Sequence, residues 1–166
     1  MGFQLDHNNT VNNTHSIDIR VVCDGIRTPE NIGMVIRVAE AFGVNEVIVN
    51  ETSPGLENAK VKKTSRSADQ NLQFRKKDDL QSYLSELRFE GFRLFGIELT
   101  DSSKPMNELK ASGDKIVLLI GSERDGISPE LLTILDASYQ IEMFGRNSSI
   151  NVVNALSIAL YQLLSC

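Results

Sequence analysis

The stretch KIVLLIG (115–121), followed at once by SERDGISPE (122–130), decides the fold class. Ile116 to Ile120 form an unbroken apolar run of strand length. A run with no polar alternation belongs to a strand buried on both faces, as in a parallel sheet covered by helices. Gly121 ends the run, and a polar loop with a second glycine, Gly126, follows. Ser128-Pro129-Glu130 then opens a helix, with a hydroxyl at the cap, proline at the first helical position and an acid in the first turn. A buried strand turning through a polar loop into a helix is the unit of an α/β fold.

The same alternation extends outward from this unit. IDIRVVCD (17–24), EVIVN (46–50), FRLFGIEL (92–99) and YQIEMF (139–144) read as further strands, which predicts a mostly parallel sheet of five strands with helices on both faces. Thr28-Pro29-Glu30 starts a helix that runs to Phe42 and ends at Gly43. Asp78 to Glu90 is amphipathic, with Leu80, Tyr83, Leu84 and Leu87 on one face. A last helix is expected over 149–164. Residues 1–16, rich in Asn, read as a polar arm, and residues 17–166 as a single domain.

Of the 166 residues, 41% are hydrophobic and 23% charged. This is ordinary globular composition, and the chain is long enough to bury a core without a metal or disulfide. The two cysteines, Cys23 and Cys166, do not make a disulfide framework and suit a reducing compartment. The amino terminus lacks the apolar segment of an export signal. Together these predict a cytoplasmic protein. The net charge of −5 argues against polyanion binding on average. Yet Lys60, Lys62, Lys63, Arg66, Arg75, Lys76 and Lys77 face only Asp69 over residues 60–77, a local net charge of +6. That cluster is either a solvated face or a nucleic-acid contact.

Two helices are apolar on more than one side. In the first, Ile32, Val35, Ile36, Ala39 and Phe42 form the expected stripe, and Met34, Val38 and Ala41 lie opposite it. The last twenty residues, NSSINVVNALSIALYQLLSC (147–166), carry no charge. Asn147, Asn151, Asn154, Ser157 and Gln162 oppose a membrane span. A helix apolar nearly all round is buried on both sides, so these helices predict a homodimer.

Several chemistries lack their residues. There is no P-loop and no dinucleotide fingerprint. There is no nucleophile elbow and no Cys/His cluster with metal spacing. No metal is expected. What remains lies at three strand-to-helix junctions, where open α/β sheets bind ligands. The first is Asn31-Ile-Gly33-Met-Val-Ile-Arg37, in which Gly33 and Arg37 share a helix face and Gly33 admits a backbone or a ligand. The second is Gly121-Ser-Glu123-Arg-Asp-Gly126, whose backbone groups are positioned to face a ligand. The third is Ile141-Glu-Met143 with Ser149-Ile150-Asn151, where Gly145 breaks the strand and Ser148 or Ser149 is expected to cap the last helix.

Taken in register, these three stretches resemble motifs 1, 2 and 3 of the SpoU/TrmH-like RNA 2′-O-ribose methyltransferases of the SPOUT superfamily. The resemblance covers roughly residues 18–164. The chain departs from the family pattern at Glu142, where proline is usual, at Ile127, where leucine is usual, and at Thr64-Ser-Arg-Ser-Ala68, where a Ser-x-Gly-Ala stretch is common.

The resemblance implies a C-terminal trefoil knot and a homodimer packed through the first and last helices. It implies S-adenosylmethionine held at Ile97, Gly121, Ile141, Ser149 and Ile150, and methyl transfer to a ribose 2′-hydroxyl of tRNA or rRNA. Arg37 would be the essential residue, either as proton acceptor or as stabiliser of the developing alkoxide. Asn31 would orient it or the ribose. Glu123 would hold the Arg37 network or a residue of the partner chain, and Ser149 with Asn151 would shape the pocket. Lys62, Lys63, Arg66 and Arg27 are the expected RNA contacts. The short arm and the absence of extensions favour tRNA over rRNA. The competing readings are a SPOUT-fold base N-methyltransferase and a non-catalytic RNA-binding dimer module.

Overall fold

The computed structural model of the chain describes residues 11–111 and 113–165. The chain alternates β1 (Asp18–Cys23), α1 (Pro29–Ala41), β2 (Glu46–Asn50), α2 (Ala59–Ser65), β3 (Gln73–Lys77), α3 (Leu80–Phe89) and β4 (Arg93–Ile97). It continues through β5 (Lys104–Pro105), β6 (Lys115–Ile120), α4 (Pro129–Leu132), β7 (Ala137–Gln140) and α5 (Val152–Leu164). The strands form one sheet in the order β3-β2-β1-β6-β4-β7-β5, and every pairing is parallel.

The central strands separate two cores by simple alternation. Ile19, Val21, Cys23, Ile116, Leu118 and Ile120 point to the face covered by α1 and α5. Val22, Val117, Leu119, Ile48 and Leu94 point to the face covered by α3 and α4. This two-sided burial explains the continuous apolar run at 116–120. Burial also pushes the free Cys23 thiol well above its ordinary range. No helix among the described residues is long and apolar enough to cross a membrane.

The structure corrects several expectations. The sheet has seven strands rather than five. β3, QFRKK, is an edge strand whose backbone pairs with β2 from Glu46↔Gln73 to Asn50↔Lys77. Charged side chains are what an edge strand needs, so the basic composition hid the strand. β7 stops at Gln140, and residues 141–144, expected to be strand, leave the sheet as loop. The last helix begins at Val152 rather than Ser149. Asn151, not a serine, caps it, its side-chain oxygen accepting the Val153 N–H at 2.8 Å. Gly33 admits a backbone: a Cβ there would strike Val61 and Thr64 of α2. At the amino-terminal side, His15 is half-buried and donates from Nε2 to the Phe42 carbonyl at 2.9 Å, closing the end of α1. Residues 1–10, which include His7 and most of the expected arm, and Cys166 lie outside the described residues.

Candidate active site

The carboxyl ends of β4, β6 and β7 open into a cavity of about 650 Å³, within the range of small-molecule sites. Its position follows from topology, because loops leaving parallel strands at the same edge converge there. Ile97, Gly121, Ile141, Ser149 and Ile150, drawn from four separate segments of sequence, all line it. Glu123 and Asn151 line it too.

A chain of side-chain hydrogen bonds at the rim ties the three junctions together. Asn151 donates from Nδ2 to Asn31 Oδ1 at 3.2 Å. Asn31 donates from its own Nδ2 to Glu123 Oε1 at 2.7 Å. Asn151 thus caps α5 with its oxygen and reaches the start of α1 with its nitrogen. Partial burial raises the Glu123 carboxyl, but hydrogen bonds from Asn31, its own backbone, Thr28 and the Arg27 backbone outweigh it. The carboxyl is held below the ordinary range. Thr28 occupies the expected cap position of α1 but makes no cap bond to its own helix; its side chain instead helps hold the Glu123 carboxyl low.

The loop 121–128 is folded back on itself. Ser122 and Gly126 exchange backbone hydrogen bonds at 3.0 and 3.2 Å. A Cβ on Gly121 would collide with the backbone of Gly126 and Ile127, and Gly126 has φ +68, which favours glycine. The backbone groups of Ser122 and Gly126, expected to face a ligand, are therefore spent on the loop's own closure. Two carboxylates hold its far end: Glu98 Oε2 accepts the Ile127 N–H at 3.1 Å, and Asp24 Oδ2 accepts the Ser128 N–H at 2.8 Å. Glu98 also lines the cavity.

The remaining site candidates lie outside the cavity wall. Arg37 is exposed on α1 and, among the described residues, makes no hydrogen bond or ion pair. Arg27 is exposed beside Thr28. The 60–77 cluster is not one face. Lys60 pairs with Glu30 at 3.0 Å, Arg75 with buried Glu46 at 2.6 Å and Lys76 with Glu57 at 3.3 Å, while Lys77 lies over the Tyr83 ring. Lys62, Lys63 and Arg66 are left exposed and without an ion pair among the described residues. No group of three or more His, Cys, Asp or Glu among the described residues is arranged to hold a metal.

The model of the SpoU rRNA methylase family matches residues 18–161. The chain belongs to this family. Among curated relatives, the 23S rRNA (guanosine(2553)-2′-O)-methyltransferase RlmP of Bacillus subtilis is 27% identical over 143 residues, 86% of this chain and 56% of its own length. The tRNA (guanosine(18)-2′-O)-methyltransferase of Escherichia coli is 26% identical over 145 residues, 87% of this chain and 62% of its own length. The chain thus spans little more than half the length of these relatives. The SpoU methyltransferase AviRb of Streptomyces viridochromogenes, solved in complex with AdoMet, superposes with a TM-score of 0.80 at 24% identity. The match covers 90% of this chain and 58% of that one, and the two share the fold.

As a SpoU family chain, the molecule brings its motif 1 asparagine, motif 2 glutamate and motif 3 asparagine into one hydrogen-bonded set. It keeps its motif 1 arginine apart. Glu98 and Tyr139 also stand in the wall and are not among the residues the sequence singles out. For Glu98 a signal existed, since a carboxylate directly after a buried strand lies where such sheets bind ligands.

Proposed function

We propose that this chain transfers a methyl group from S-adenosylmethionine to a ribose 2′-hydroxyl of RNA. One observation carries the reading: the five expected cofactor positions line a single cavity, and the Asn31–Glu123–Asn151 set closes its rim. The cavity suits that cofactor. Ile97, Ile141, Ile150 and Tyr139 supply apolar wall for a nucleobase, and Ser148 and Ser149 supply hydroxyls. The carboxylates of Glu98 and Glu142 have the sign that favours a cationic group. When bound, S-adenosylmethionine supplies a methyl group on a positively charged sulfur.

The chain's own task is the acceptor. A neutral hydroxyl is a weak nucleophile; as its oxygen takes the methyl and the carbon–sulfur bond breaks to leave a neutral thioether, its proton passes to water, and charge builds on the oxygen as that proton leaves. A guanidinium is a donor and a cation, not a proton acceptor, so we assign Arg37 to stabilising that oxygen. Arg37 does not line the cavity of its own chain, so its role goes with a homodimer in which it serves the partner's site. Exposed apolar side chains support such a dimer. Met34 on α1 and Ile158 and Tyr161 on α5 are 36%, 40% and 66% exposed, and α1 and α5 cover the same sheet face. Sedimentation is expected to give a dimer; a concentration-independent monomer would remove the interface and with it this role for Arg37.

The relatives act on both rRNA and tRNA, and we favour tRNA as the substrate to test first. The trefoil knot belongs to this reading, as does a cytoplasmic location. The test is transfer of a labelled methyl from S-adenosylmethionine to RNA, followed by nucleoside analysis. Label in 2′-O-methylated nucleosides supports the reading. Label on a base moves the chain to base N-methylation, and cofactor binding without transfer to any RNA makes it a binding module.

A further inference from the structure

The segment between Met143 and Ser148 makes an excursion that neither the cofactor cavity nor the core explains. Glu142 and Met143 line the cavity, and Ser148 and Ser149 line it again, but residues 144–147 do not. They stand out from the rim. Phe144 is 96% exposed. Gly145 is so open that a Cβ there would meet nothing within 4 Å. Arg146 and Asn147 are exposed, and Arg146 has no ion pair among the described residues. Phe144 contributes nothing to either hydrophobic cluster. A bare ring in water is unfavourable by the apolar surface it leaves uncovered, and here it adjoins a binding cavity.

We infer that residues 144–147 form the seat of the target nucleotide, with Phe144 stacking on its base. This rests on the reading of the chain as a ribose methyltransferase and deepens it. A ribose whose 2′-hydroxyl reaches into the cavity must carry its base, attached at the adjacent carbon, at the cavity rim. The rim there presents a planar ring, a guanidinium and an amide side by side. These are the three chemistries that single-stranded RNA recognition uses: stacking, phosphate contact and base-edge hydrogen bonding. The occupant is therefore an unpaired nucleotide, because a base stacked in a helix cannot offer its face to the ring. Stacking alone is tolerant of base identity; Arg146 would hold the neighbouring phosphate, and Asn147 would supply any base preference.

The chain contains no tryptophan, so F144W places a single tryptophan at this point, excited at wavelengths where the tyrosines do not absorb. The full chain, saturated with S-adenosylhomocysteine, is titrated with deproteinised total RNA from cells lacking the protein. Quenching of the F144W signal by RNA is expected, and an unchanged spectrum under conditions where RNA binds would overturn the inference. F144A and F144L are expected to raise the KM for RNA on the order of 10- to 100-fold with unchanged affinity for S-adenosylmethionine, while F144Y stays near the parent. Leucine behaving like phenylalanine would show an apolar contact without stacking, and would also overturn it. A parent protein that transfers no methyl to RNA refutes the functional reading. In that case the quenching titration and RNA affinities by filter binding still decide on the seat.

Discussion

Replacing Asn151 separates the two tasks its side chain performs. Its oxygen accepts the Val153 N–H at 2.8 Å and caps α5; its nitrogen donates to Asn31 at 3.2 Å. Asn151→Ala removes both. Loss of such a cap costs about 1 kcal/mol, and loss of an exposed hydrogen bond adds about 0.5 kcal/mol. Helix α5 itself stays docked, because Val153, Leu156, Ala159, Leu160 and Leu163 are buried. For a domain of this size, about 1.5 kcal/mol lowers the melting temperature by roughly 3–6 °C. Asn151→Ser keeps a competent cap and loses only the contact to Asn31, so it is expected to melt within about 2 °C of the parent. Asn31 is left without its Asn151 donor in both variants, and methyl transfer is expected to fall in both. Thermal unfolding followed by circular dichroism, paired with a transfer assay, reads the two effects independently. Ala and Ser variants that melt together would refute the cap, and an Asn151→Ser variant with full activity would refute the link from Asn151 through Asn31 to the chemistry.

Arg37→Ala is expected to bind S-adenosylmethionine normally by calorimetry while transfer falls about 10²–10³-fold, the usual loss for one electrostatic stabiliser; parallel loss of cofactor affinity would show the residue to be misplaced. Replacing Lys62, Lys63 and Arg66 with Ala is expected to weaken RNA binding and flatten the slope of log K against log salt by about 0.7–0.9 per lost phosphate contact. An unchanged slope would make them a solvated face. The Glu123 carboxyl lies below its ordinary range when folded. Its contribution is therefore present above the unfolded carboxylate range and is lost as pH falls through the lowered folded value. Denaturant midpoints measured from neutral to acid pH are expected to fall less steeply for Glu123→Gln than for the parent, and identical slopes would contradict this.

Legibility in the sequence followed how much of an element's stability comes from its own side chains. Ile116–Ile120 and Val47–Val49 are apolar on both faces and read as strands without help. β3 did not, because QFRKK is held by backbone pairing to β2, which no periodicity reports. α2 buries only Val61 and Ser65, too little to show an amphipathic face. Ser149 and Asn151 are equally good caps in isolation, so the sequence alone does not choose the start of α5. The contact to Asn31, 120 residues away, is a tertiary preference. At the site, motif order singles out Ile97, Gly121, Ile141, Ser149 and Ile150, and these share one cavity. The same motifs could not show that Gly121 and Gly126 serve the loop's own closure, nor that Arg37 lies outside the wall of the cavity its neighbours build.

A ribose 2′-oxygen in RNA is the methyl acceptor proposed for this chain. Alkaline cleavage of RNA needs that oxygen free to attack the adjacent phosphate, so methylation leaves a protected linkage. Alkaline cleavage maps of RNA from cells with and without the protein should be compared, and the comparison repeated after adding purified protein and S-adenosylmethionine to the unmodified RNA. At least one linkage is expected to be protected with the protein, cleaved without it, and protected again in the reconstituted reaction. Identical maps in all three, or a difference confined to base methylation, would contradict it.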